Sequence, residues 1–146
     1  MSNFAFLQRE WFAIHDACVK AESYVNSDAR AASFYGRIAL EQVVAWLYRY
    51  DPNYRCYDMS LGARVHEPCF SKYASESIFT KATIVIEIGN RAAHGKSVKP
   101  NDALTQITEL FHIMKGVVCA GRLWRGRRLE FGCPSMRPNA WARAAA

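Results

Sequence analysis

The apolar residues of this chain recur at intervals of three and four, a spacing that confines it to helices packed side by side. Phe4, Leu7, Trp11, Ile14, Cys18, Ala21 and Val25 fall on one stripe of a 3.6-residue helix. Asn26-Ser27-Asp28 breaks the run, and Ser27 or Asp28 supplies a short oxygen acceptor to open a second helix. That helix is expected to reach Tyr50, because Asp51-Pro52-Asn53 then removes a backbone donor and ends the hydrogen-bond ladder. Phe34, Ile38, Leu40, Val43, Val44 and Leu47 cover a wide arc, which places this helix near the middle of a bundle.

Residues 54–75 are less regular. Ser60 to His66 suits a short helix, and Pro68 opens another turn toward Tyr73. Helical spacing returns over 76–94 through Ile78, Phe79, Ala82, Val85, Ile86 and Gly89. The run Ala82-Thr83-Ile84-Val85-Ile86 is β-branched and would also suit a buried strand. The apolar spacing persists over four turns and no partner strand is visible, so a helix is expected. Gly95 and Pro100 mark the turn after it. Asn101 or Asp102 caps a last helix carrying Ala103, Ile107, Leu110, Met114 and Val117, expected to end near Gly121. The fold class is therefore all-α: a roughly five-helix, mainly antiparallel bundle over residues 1–121. Residues 122–146 hold Gly126, Gly132, Pro134 and Pro138 with no sustained period, and read as an irregular, arginine-rich tail or linker.

A length of 146 residues suits one domain with a sizeable core, and no apolar stretch is long enough to cross a membrane. The N-terminus has no basic leader and meets Gln8-Arg9-Glu10 at once, unlike a secretory signal. Five cysteines without regular spacing fit reduced thiols in a cytoplasm. The net charge of +6 is unevenly placed: residues 122–146 hold six arginines against Glu130 alone, leaving the helical part nearly neutral. Arg122, Trp124, Arg125, Arg127 and Arg128 mix guanidinium groups with an indole, a combination suited to phosphate and base contacts or to a solvated linker.

Motifs for a motor or a metal-dependent nuclease are absent: there is no phosphate-cradling Gly-rich loop with Lys-Ser/Thr, no His-x-x-x-His and no acidic cluster for magnesium. His66 and Cys69 are three apart without a second ligand pair, so neither a metal nor any other cofactor is expected. Polar residues inside the helical runs are more informative. Arg37 and Glu41 are four apart and share a face. Ile88-Gly89-Asn90-Arg91-Ala92-Ala93-His94-Gly95 places Asn90, Arg91 and His94 on neighbouring surface, where small flanking residues let a helix or ligand come close. Such groups serve as interhelical stitching, as a binding surface, or as an acid–base histidine beside an arginine clamp.

The opening Ser2-Asn3-Phe4-Ala5-Phe6-Leu7 with Trp11, the Arg37-Ile38-Ala39-Leu40-Glu41 block, and Gly89-Asn90-Arg91-Ala92-Ala93-His94 followed by Asp102-Ala103 and Leu110-Phe111 resemble a HEPN-like helical domain. That domain stands at the N-terminus of type I restriction enzyme R subunits and of DEAD/DEAH helicase-like proteins. The resemblance spans residues 2–121 and implies an accessory or interaction module beside a nucleic-acid motor, with restriction or helicase subunits, RNA or DNA as partners. The wider superfamily includes metal-independent ribonucleases, which cut RNA from paired protomers with an arginine and a histidine. Arg91 and His94 are the candidates here, although only Ala92 and Ala93 separate them, a shorter spacer than that motif has. Arg37, from the neighbouring helix, is an alternative source of the arginine.

Overall fold

The computed structural model describes the backbone of residues 1–131 and the side chains of residues 1–117. Those described residues form one short 3-10 turn and six α-helices, with no strand among them. The helices are α1 (Phe12–Tyr24), α2 (Ala29–Tyr50), α3 (Leu61–His66), α4 (Pro68–Ala74), α5 (Glu76–Ala93) and α6 (Pro100–Phe131). The β-branched run of residues 82–86 is helical, inside α5, with Ala82, Val85 and Ile86 buried. Residues 54–75 supply two short helices: α3 where a short helix was expected from Ser60 to His66, and α4 where only another turn toward Tyr73 was expected.

Local chemistry explains most boundaries. The Asp28 side chain accepts from the Ala31 N–H at 3.0 Å and starts α2. Ser60 does the same for α3, accepting from Ala63 N–H at 3.3 Å, and Pro68 occupies the first turn of α4. α5 ends in a Schellman turn: Gly95 has φ +73°, Gly95 N–H donates to Ala92 O, and Lys96 N–H donates to Arg91 O. α6 is not capped by Asn101 or Asp102. Lys99 holds the cap position, and Asp102, in the first turn, reaches back to accept from Lys99 N–H at 3.4 Å.

Both ends of the bundle differ from the periodic reading. The stripe from Phe4 to Trp11 is not part of α1. Ala5–Leu7 form the 3-10 turn and α1 begins at Phe12. The N-terminal segment folds back, so that Ser2 and Asn3 hydrogen-bond the Glu22 carboxylate at the far end of α1. A continuous helix would have put Ser2 about 30 Å from Glu22. Phe4, Leu7 and Trp11 are all buried nonetheless, since spacings of three and four also suit a turn laid along a helix. At the other end α6 does not stop near Gly121 but runs to Phe131. Glycine inside a helix costs ~1 kcal/mol without blocking its geometry, whereas proline blocks it, and the first proline after Pro100 is Pro134. The irregular tail expected over 122–146 is thus helical as far as Phe131; its remainder lies outside the described residues, as do the side chains of Cys119, Arg122, Trp124, Arg125, Arg127 and Arg128.

α2 is central, packing against α1, α5 and α6. Its buried face carries Ala32, Ser33, Gly36, Ala39, Leu40, Val43, Val44 and Leu47. Phe34 was expected on that face and instead stands 43% exposed. Antiparallel packing shows in paired contacts. Arg30 and Arg37 of α2 meet Ala92 and Asn90 of α5, while Lys81 and Arg91 of α5 meet Glu109 and Asp102 of α6. One polar side chain crosses the middle of the bundle. Gln106 of α6 is fully buried, and its Nε2 donates to Ser33 O of α2 at 3.1 Å and to Val85 O of α5 at 3.0 Å.

Candidate functional site

α2 and α5 come unusually close because Gly89 has no side chain. A Cβ there would lie 2.5 Å from Arg37 Cβ, so the stem of Arg37 rests on the α5 backbone. This contact carries the Arg37 guanidinium to Asn90, whose Oδ1 accepts from Arg37 Nε at 3.0 Å. The other side of the guanidinium faces Glu41, with Nη1 3.4 Å from Oε2. The pair is half-open to solvent, with 29% of the arginine side chain and 53% of the glutamate exposed. Its Coulomb term therefore contributes little; the interhelical bond to Asn90 is the stronger constraint.

Arg91 points elsewhere. One residue after Asn90 it turns toward α6, where Nη1 lies 3.3 Å from Asp102 Oδ2. His94 occupies the last, half-helical position of α5, with its backbone N–H on Asn90 O and its imidazole exposed. No hydrogen bond joins that ring to Asn90, Arg91 or Arg37 among the described residues. Arg37, Glu41 and Asn90 thus form one connected group, Arg91 belongs to the α5–α6 contact, and His94 stands apart at the helix end.

Periodicity alone overlooked a third arginine. Arg30 lies two turns before Arg37 on α2, and its Nε donates to Ala92 O at 3.1 Å. Its Nη2 is also the nearest atom to Gly95, 3.6 Å from where a Cβ would sit. A guanidinium placed there gives Ala92 O a second donor beside Gly95 N–H and meets the negative end of the α5 dipole. The seven-residue interval between Arg30 and Arg37 was the available signal, since it sets both on the same face.

Beside Arg30 is an open depression of about 330 Å³ lined by Asp28, Arg30, Ala31, Phe34, Tyr35, Ala92 and Ala93. The neighbouring turn from Ile88 to Asn101 contains Arg91, His94, Lys96 and Lys99 and no acid, and Lys96 and Lys99 are exposed. Chemically this end of the bundle offers cationic groups next to an exposed aromatic ring. Tyr24 and Tyr35 stack behind it, nearly parallel at 5.9 Å. Cys18 is fully buried, and its thiol is pushed up first by burial and then by Glu22. Among the described residues no group of three His, Cys, Asp or Glu side chains is placed to hold a metal ion. No helix among them is long and apolar enough to cross a membrane.

The chain was compared with protein-family models, curated proteins and solved structures, and none matches it.

Proposed function

We propose that this chain is a non-catalytic docking module of HEPN-like kind, serving a prokaryotic restriction or helicase system by holding single-stranded nucleic acid. The observation that carries this reading is the end of the bundle at the α5–α6 turn. Arg30 and Phe34 stand exposed on the depression beside the last turn of α5, which Asp28 also lines, and Lys96 and Lys99 stand exposed in the acid-free segment from Ile88 to Asn101. Cations that neutralise phosphates, next to a ring on which a base can stack, suit single strands of any sequence. The non-catalytic part of this reading is supported by where the other polar groups point: Arg37 pairs with Glu41 along α2, Arg91 pairs with Asp102 of α6, and neither hydrogen-bonds His94.

A titration of a labelled single-stranded oligonucleotide over a range of salt concentrations tests this. Replacing both Lys96 and Lys99 by alanine should weaken binding and flatten the salt dependence by a slope of about 1–2, as expected for two lost phosphate contacts. Phe34→Ala should weaken binding by about 1–3 kcal/mol at all salt concentrations. Binding untouched by these changes and abolished by removing residues 122–146 would place the contact in the arginine-rich segment and overturn the proposal.

A second reading, a metal-independent endoribonuclease using Arg91 and His94, is favoured by one feature: the exposed imidazole of His94 lies one helical turn from Arg91. It requires RNA cleavage that persists in EDTA and disappears in both His94→Ala and Arg91→Ala.

A further inference from the structure

We infer that Cys56 and Cys69 form a thiol–disulfide site that fastens the loop after α2 to the first turn of α4. Cys69 Sγ lies 3.5 Å from the carbonyl oxygen of Arg55, the residue whose peptide bond joins Cys56. Only three covalent bonds separate that oxygen from Cys56 Cα, so the Cys69 sulfur is within about 6–7 Å of that atom. A disulfide joins cysteines whose Cα atoms are roughly 4.4–6.8 Å apart. The contact sets the Cys69 sulfur beside the Cys56 backbone, and closing the bond requires the loop to turn the Cys56 sulfur toward it.

One further contact and two electrostatic influences put both thiols near the start of α4. Glu67, two residues before Cys69, is an electrostatic neighbour of the Cys56 thiol. The Tyr48 phenol, whose hydroxyl oxygen is 3.5 Å from Cys69 Sγ, has both Cys69 and Cys56 as electrostatic neighbours. Both cysteines are partly exposed and within reach of an oxidant, while Cys18 is enclosed in the core.

The reaction is thiol–disulfide exchange with a low-molecular-weight disulfide. One cysteine thiolate attacks that disulfide and releases one small thiol. The second cysteine then attacks the mixed disulfide, forms the Cys56–Cys69 bond and releases the other small thiol. Two protein thiols are oxidised and one external disulfide is reduced. The bond closes a loop that carries Tyr57 and Met59, both strongly exposed, and so fixes the segment that presents them.

The test uses the full chain with Cys119→Ser and Cys133→Ser, treated with oxidised glutathione and mapped as unreduced peptides. The expected result is loss of two of the three remaining thiols and a single peptide pair joining Cys56 to Cys69. Dithiothreitol should reverse the bond, Cys56→Ser or Cys69→Ser should abolish it, and the oxidised chain should melt at a higher temperature than the reduced one. Separate glutathione adducts on Cys56 and Cys69, a bond to Cys18, or unreacted thiols would overturn the inference. A bond that forms without raising the melting temperature would overturn the claim that it fastens the loop.

Discussion

Gly89 of α5 lies directly beneath Arg37 of α2, so close that a methyl group on the glycine would stand 2.5 Å from Arg37 Cβ. The atom it would strike is not the movable end of a side chain but the carbon attached to the α2 backbone. The same approach puts the arginine Nε within 3.0 Å of Asn90 Oδ1 on the next residue of α5. Close packing and the polar contact are therefore one feature.

Gly89→Ala accordingly has two opposed effects. Alanine favours a helix over glycine by ~1 kcal/mol, while forcing α2 and α5 apart costs about 1–3 kcal/mol of packing and loosens the Arg37–Asn90 bond. The expected outcome is net destabilisation of up to about 2 kcal/mol in a urea melt. Increased stability would mean that the two helices separate freely.

Gln106 distinguishes packing from hydrogen bonding. Its two donated bonds go to Ser33 O and Val85 O, while its Oε1 is buried without an acceptor's partner. Gln106→Ala should cost about 2–4 kcal/mol, because it opens a cavity where three helices meet. Gln106→Leu fills most of that space and removes the unsatisfied oxygen, so its cost should stay below about 1.5 kcal/mol. Equal losses for the two variants, read by chemical denaturation, would show that the hydrogen bonds dominate.

Ser75 is the single residue between α4 and α5, and its φ of 113° with ψ of 157° belongs to a region populated essentially by glycine. Its hydroxyl oxygen offsets part of that strain by accepting from Ile78 N–H at 3.2 Å. Ser75→Gly relieves strain of about 1–3 kcal/mol and loses only a few tenths from the cap, so it should raise the melting temperature. Ser75→Ala keeps the strain and loses the cap, so it should lower it. Matching shifts of the same sign would contradict this account.

Glu22 gives the N-terminal fold-back a pH signature. Partial burial pushes its carboxyl up, but hydrogen bonds from the Ser2 hydroxyl and from Asn3 outweigh burial and hold it below the usual range. A carboxyl depressed in the folded state contributes stability that is complete above its unfolded value, near 4.5, and is lost as pH falls through the lower folded value. The native chain should thus be more stable than Glu22→Gln at neutral pH, with the difference closing as the pH drops below about 4. A gap independent of pH would mean that the carboxylate charge is not what holds Ser2 and Asn3.

How much of this was legible beforehand follows from the range of each interaction. Helix identity, order and several ends were readable: Asp28 as a cap, Pro52 as a stop and Gly95 as a helix terminator all act within a few residues of themselves. The juxtaposition of the Arg37–Glu41 and Asn90 faces was also readable, because both faces carry polar groups where their helices must bury surface. Less was visible of the site. His94 reads as part of the same network, yet only a helix C-terminus known in space sets its ring apart, and nothing local to Arg30 announces that it reaches Ala92.

The sequence by itself determined that this chain makes helices, since backbone hydrogen bonding, capping and apolar periodicity are settled over three or four residues. Tertiary structure alone decided that Ser2 returns to Glu22, that Arg30 meets Ala92, and that Gln106 joins Ser33 to Val85. These partners are separated by 20 to 73 positions along the chain, and which of them meet depends on how closely one helix lets another approach. That distance is set by the volumes of side chains on both helices at once, as at Gly89, and so cannot be read from either helix alone.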